Sequence, residues 1–181
     1  MTRYVSLLRG INLGSTNQVS MPELKQVYVD LGFGDVETYI RSGNVVFGSD
    51  DAPDGVRRRI ETGITERLDL TIDVVLRTHD ELAGVVERNP FPDADPKHLH
   101  VVFLAAPVPD DLTARLDEQD FGSDEYAPDG REIYLHLPNG FGRSRLATRM
   151  SALRAPVVGS VRNWRTVGKL TEMSGDRTRR R

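Results

Sequence analysis

The sequence predicts an α+β protein built from two tandem ferredoxin-like subdomains, each a βαββαβ unit with a trailing helix and an antiparallel sheet. Three observations predict it. Apolar residues alternate at period two and then fall at helical spacing, in the same order in both halves of the chain. A run with three prolines in nine positions, Asn89 to Lys97, separates the halves and reads as a linker. The last strand-to-helix junctions also correspond, because Arg77-Thr78 and Arg162-Asn163 each set an arginine before a good capping residue. Five and eight residues beyond the arginine come Leu82 and Val85 in one half, and Val167 and Leu170 in the other. The expected boundaries are 1–88, linker 89–97, 98–174 and a flexible basic tail at 175–181.

Each element has a local reason. Residues 2–9 alternate as a strand, and a polar, glycine-containing loop follows from Gly10 to Ser20. Ser20, with Glu23 three residues on and Pro22 in the first turn, predicts a helix carrying Leu24, Val27 and Leu31 and closed by Gly32. Val36 to Arg41 and Asn44 to Gly48 read as strands joined by a tight Ser42-Gly43 hairpin. Asp54 opens a helix with Val56, Ile60, Ile64 and Leu68 on one stripe. Thr71 to Arg77 is a strand, and Thr78 caps a helix. In the second half, 98–105 is a strand, 109–118 a helix, and 125–127 and 132–137 are strands around Pro128-Asp129-Gly130. Residues 143–154 then form a helix, 157–162 a strand and 164–173 a last helix. In a split βαβ unit each crossover skips one strand position, which the hairpin-linked strand fills, so one face of each sheet is left without helices of its own.

Composition narrows the function classes. With 38% hydrophobic and 28% charged residues the chain is an ordinary globular protein. No apolar run approaches the roughly 20 residues of a membrane span. The apolar N-terminal stretch is too short for a signal peptide, so a cytoplasmic location is expected. The absence of cysteine removes disulfides, thiol nucleophiles and cysteine metal sites. The formal charge is −3, and residues 175–181 carry four arginines against one aspartate, so the body holds about −6. Such a body lacks the electrostatic footprint of a non-specific nucleic-acid binder.

The polar motifs cluster at strand ends. In Arg9-Gly10-Ile11-Asn12-Leu13-Gly14-Ser15-Thr16-Asn17, two glycines let backbone N–H groups approach an anion ahead of a helix N-terminus. The glycine spacing matches neither a phosphate loop nor a dinucleotide fingerprint, and the asparagines serve equally well as side-chain-to-backbone turns. In Arg41-Ser42-Gly43-Asn44, Ser-Gly makes the turn and Asn44 satisfies its backbone. In Gly140-Phe141-Gly142-Arg143-Ser144-Arg145, backbone donors beside arginines suit a phosphate or carboxylate. In the block from Arg162 to Leu170, Asn163 reads as a helix cap, and Lys169 is one of only three lysines in an arginine-rich chain. The candidate ligand-binding set is therefore Arg9, Asn12, Asn17, Arg41, Ser42, Asn44, Arg143, Ser144, Arg162, Asn163 and Lys169.

His98 and His100 share a strand face by period two, and the start of their strand is expected beside the end of the strand bearing His136, which leaves open whether the three imidazoles converge on the open face. No carboxylate is pinned beside them, and no metal is expected. No nucleophile elbow is present.

Several of these blocks taken together carry a resemblance. Residues 9–14, 38–47 (Thr38-Tyr39-Ile40-Arg41-Ser42-Gly43-Asn44-Val45-Val46-Phe47), Asn89-Pro90-Phe91 and 162–170 are similar to the bacterial domain-of-unknown-function family 1697, across about residues 3–173. Gly140 to Arg145 resembles the family's Gly-x-Gly-x-Ser-Lys pattern, with Arg145 where the family has lysine. The resemblance implies an α+β fold with two related subdomains, and no particular activity or cofactor.

The functional expectation is a binding module for an anionic small molecule or nucleotide at a cleft between the subdomains. The alternatives are an enzyme built on Arg9, Asn12, Asn44, Arg162 and Lys169, or a domain binding a protein or single-stranded nucleic acid.

Overall fold

A computed structural model describes residues 1–175, so the expected tail, Gly175 apart, lies outside the described residues. The protein is α+β, with two four-stranded antiparallel sheets and six α-helices among those residues. The described chain divides into two compact units, residues 1–83 with 169–175, and Gly84–Gly168.

The first unit holds β1 (Thr2–Leu8), α1 (Met21–Asp30), β2 (Gly34–Tyr39), β3 (Asn44–Ser49), α2 (Pro53–Leu68) and β4 (Val74–Thr78), and α3 (His79–Glu87) starts in it. Its strand order is β2-β3-β1-β4. Alternation of β1 sends Tyr4 and Leu8 toward α1 and α2, where they join Leu24, Val27, Tyr28, Phe47, Val56, Ile60 and Ile64 in one core. Burying a side chain of this size contributes about 1.5–3 kcal/mol, so this face holds the unit together. The Tyr28 hydroxyl, fully buried, is satisfied by the Ser6 hydroxyl at 2.6 Å. α1 starts where expected. The Glu23 N–H donates to the Ser20 hydroxyl at 3.3 Å, and the Ser20 N–H donates back to the Glu23 carboxylate at 3.2 Å.

The second unit holds β5 (Leu99–Leu104), α4 (Asp110–Asp117), β6 (Glu125–Asp129), β7 (Glu132–His136), α5 (Arg145–Ser151) and β8 (Gly159–Asn163), and α6 (Trp164–Ser174) starts in it. Its strand order is β6-β7-β5-β8, the counterpart of the first. Val102, Leu104, Ile133 and Leu135 pack on Leu112, Leu116, Leu146, Ala147 and Met150 of α4 and α5. On the other face Tyr134 donates its hydroxyl to the Val85 carbonyl of α3 at 2.9 Å. Residues 89–97 lie within this unit, where the Phe91 ring rests on His136 at 5.6 Å between centroids.

Three sequence expectations differ locally. The first hairpin turns over four residues, Ile40 to Gly43, because Ile40 adopts φ 47° and Tyr39 is the last paired residue of β2. β6 runs on through Pro128 to Asp129, since it is an edge strand and needs no N–H at that position. The helix expected at 143–154 is only seven residues long. Ser144 caps it by accepting from the Ala147 N–H at 2.8 Å, and Arg154-Ala155-Pro156 cannot continue it.

Candidate functional site

The glycine-containing loop after β1 is closed on itself. Asn12 sits at φ 53°, and its Nδ2 donates to the carbonyls of Val19 and Arg41, both at 2.9 Å. Its Oδ1 accepts from the Val19 N–H at 2.9 Å, so the amide ties the loop to the β2–β3 turn. Asn17, at φ 48°, donates to the Gly10 carbonyl at 3.1 Å. Side-chain amides used this way make a turn, and both N–H groups of Asn12 are taken up by it. The start of α1, the anion seat the sequence offers, is filled by the chain's own Glu23. Hydrogen bonds from the Ser20 hydroxyl and N–H hold that carboxyl below its usual range.

The β2–β3 turn is similar. Asn44 is fully buried and donates to the Tyr39 carbonyl at 2.9 Å and the Ser42 hydroxyl at 3.0 Å. Arg41 is exposed, and its Nη2 reaches the Gln18 side-chain oxygen at 3.4 Å. Arg9 is half-buried with Nη1 3.9 Å from an Asp73 carboxylate oxygen. The structure thus gathers Asn12, Arg41, Ser42 and Asn44 at one end of the first sheet.

In the second unit Arg162 is buried and donates Nη1 to the Ser160 hydroxyl at 2.9 Å and the Val161 carbonyl at 2.8 Å. Burial lowers its pKa to about 10, which leaves it a cation at neutral pH. Asn163 caps α6 by accepting from the Arg165 N–H at 2.9 Å. Ser144 is spent on its own cap, and Arg143 stands exposed beside it. Lys169, in the first unit, forms an ion pair with Glu172 at 3.1 Å.

The three histidines do not converge. His98 lies in a 3-10 turn (Pro96–His98) rather than in the strand. His100 is directly opposite Leu135, and His136 is directly opposite Leu99, so the two rings leave the sheet on opposite faces. His136 shares its Nδ1 with Glu125 at 2.8 Å. His100 is buried beneath Phe141 at 4.8 Å between ring centroids, with Nδ1 unpartnered. Among the described residues no group of three or more His, Cys, Asp or Glu is placed to hold a metal ion. On the faces without their own helices, Val5, Leu7, Val46 and Val75, and Val101, Phe103 and Tyr134, are all buried, so neither offers an aromatic platform for bases.

The basic feature that sequence reading missed lies largely in the second unit. Residues 133–171 contain six arginines and Lys169, and no aspartate or glutamate, in a chain whose net charge is −3. That single-sign run was the available signal, and a motif-by-motif reading divides it. Arg143, Arg145, Arg149, Arg154 and Arg165 are all exposed. Arg149 and Arg154 line a concavity of about 510 Å³ together with Arg115 of α4. Its walls are otherwise mostly apolar: Pro109, Leu112, Ala152, Leu153, Pro156 and Val157 among them.

An α+β chain of two like antiparallel sheets, with exposed arginines clustered on the second unit, is the class these features define. The family described as protein of unknown function (DUF1697) matches residues 1–134, and the chain belongs to that family. A comparison with curated proteins found no match. Among solved structures, the conserved bacterial protein SP0830 from Streptococcus pneumoniae is similar, with a TM-score of 0.80 at 23% identity, covering 96% of this chain and 99% of that one. At that identity the likeness speaks for the fold alone.

No helix among the described residues is long and apolar enough to cross a membrane.

Proposed function

We propose that the chain is a binding module for an anionic small molecule or nucleotide, built on two ferredoxin-like units that arose by duplication. The duplication is supported by matching strand orders and registers in the two sheets. The binding reading rests on one observation, the acid-free run of residues 133–171 and its exposed arginines. Arg145 and Arg149 stand four apart on α5, where like charges repel and cost a short helix a few tenths of a kcal/mol. A bound anion would offset that repulsion and gain charge-assisted hydrogen bonds from the guanidinium forks. The original candidates divide on this reading. Asn12, Asn17, Ser42, Asn44, Ser144 and Asn163 shape turns and caps, while Arg143 belongs to the ligand surface.

Thermal unfolding in pyrophosphate or ATP, against chloride at equal ionic strength, tests the reading, because a ligand bound to the native state must raise the melting temperature. The wild type is expected to rise with added anion and the Arg143→Gln/Arg149→Gln variant to rise much less. Equal behaviour of the two proteins would refute it.

A further inference from the structure

We infer that the concavity between α4 and the C-terminal end of α5 takes an organic anion with an apolar body, such as an aryl or acyl phosphate, rather than a bare inorganic anion. This rests on the anion-binding reading above and goes further by naming the site and the ligand class. The cavity's size, about 510 Å³, falls within the range of small-molecule sites. All its lining residues, from Pro109 to Val157, belong to the second unit.

The lining has two chemically distinct parts. Arg115, Arg149 and Arg154 supply three guanidiniums against one carboxylate, Asp111, which is already bonded to Arg115. Arg154 is steadied by donating Nη1 to the Leu153 carbonyl at 2.9 Å, at the end of α5, where unpaired carbonyls favour a cation. Neither Arg149 nor Arg154 forms an ion pair within the described chain, so their charge is available to a ligand. The apolar part is continuous with the unit's core, since Leu112 is buried and Leu153 and Val157 pack against the same cluster. Pro109 and Pro156 give this wall rigid edges that lose little entropy when a ligand settles. An inorganic phosphate would meet the guanidiniums and leave the apolar wall wet. A ligand carrying a ring or chain beside its charge would use both.

The experiment is calorimetric titration of the full chain with 1-naphthyl phosphate and, separately, with inorganic phosphate at the same ionic strength. Naphthyl phosphate is expected to bind about tenfold tighter or more, the factor that covering a modest apolar area supplies. The Arg149→Gln/Arg154→Gln double variant should lose about tenfold in naphthyl phosphate affinity, and Arg58→Gln, on an exposed face of α2, should lose none. Both altered positions are exposed, so an unchanged melting temperature without ligand serves as the folding control. Equal affinities for the two ligands, both lost in the double variant, would overturn the apolar-body inference and leave the anion-binding reading standing. Naphthyl phosphate affinity unchanged in the double variant would overturn the site. Binding of neither ligand would overturn the inference and the reading it rests on.

Discussion

Arg77 and Arg162 occupy the same position in the two sheets. Arg77 of β4 is directly opposite Val5, which is opposite Val46 on its other side. Arg162 of β8 is opposite Val101, which is opposite Tyr134. Each is buried, and each donates Nη1 to the carbonyl of the residue before it, at 2.7 Å for Leu76 and 2.8 Å for Val161. The next residue is a cap in both cases, since the Glu81 N–H donates to the Thr78 hydroxyl and the Arg165 N–H to Asn163. Two buried cations at equivalent registers are expensive to place independently, because desolvating each guanidinium opposes folding.

Removing either side chain therefore has a large expected cost. Arg77→Ala should destabilise the protein by about 3 kcal/mol, combining the lost stem packing with a buried carbonyl left without its donor. Arg77→Met, which restores much of the volume, should recover about half of that. Urea unfolding of the two variants beside the wild type measures both figures, and an Arg77→Ala variant as stable as wild type would contradict the packing argument.

Asn12 separates a turn role from a ligand role. Its amide makes three hydrogen bonds to Val19 and Arg41, and its φ of 53° suits asparagine or glycine. Asn12→Ala should cost about 2 kcal/mol or more, since it forfeits those bonds and strains the backbone. Anion affinity of the folded variant should be unchanged. A variant of native stability with lost anion affinity would assign Asn12 to the ligand instead.

Element order and the caps at Ser20, Thr78 and Asn163 were legible because each is decided within a few residues, by alternation or by a side chain bonding its own turn. Whether the histidines converge stayed open in the sequence, because period two indicates which residues share a strand face but not the register of the neighbouring strand. Pairing of His136 with Leu99 rather than with a histidine separates the rings. The arginine-lined concavity was invisible for another reason. Arg115 joins Arg149 and Arg154 only once α4 and α5 pack on one sheet, a contact that no local pattern encodes.

Gly43 tests the tightness of the first hairpin. Its φ is +79°, and a Cβ there would stand 2.6 Å from Ile11 Cδ1 and 2.9 Å from Leu8 Cβ. Gly130 also has positive φ, at +59°, but has nothing within 4 Å of the same point. Gly130→Ala should thus cost only the left-handed backbone penalty of about 1 kcal/mol, while Gly43→Ala adds overpacking worth roughly 1–3 kcal/mol more. Comparing denaturation midpoints of the two variants isolates the steric part, and equal midpoints would rule it out.

His100 links stability to acid. Burial lowers its pKa from 6.5 to about 4 and outweighs a hydrogen bond with the His98 backbone, which acts in the opposite direction. The unfolded chain therefore takes up a proton on this ring near pH 6.5, while the native chain refuses it until about pH 4. The ring's contribution is intact above pH 6.5, declines as pH falls from 6.5 to about 4, and is constant below that. The loss is at most about 3 kcal/mol. His100→Leu removes the titration while keeping an apolar contact for Phe141. Between pH 7.5 and pH 4, the wild type should therefore lose more stability than the variant in urea unfolding, by up to about 3 kcal/mol. Parallel losses in the two proteins would place the acid sensitivity on other groups.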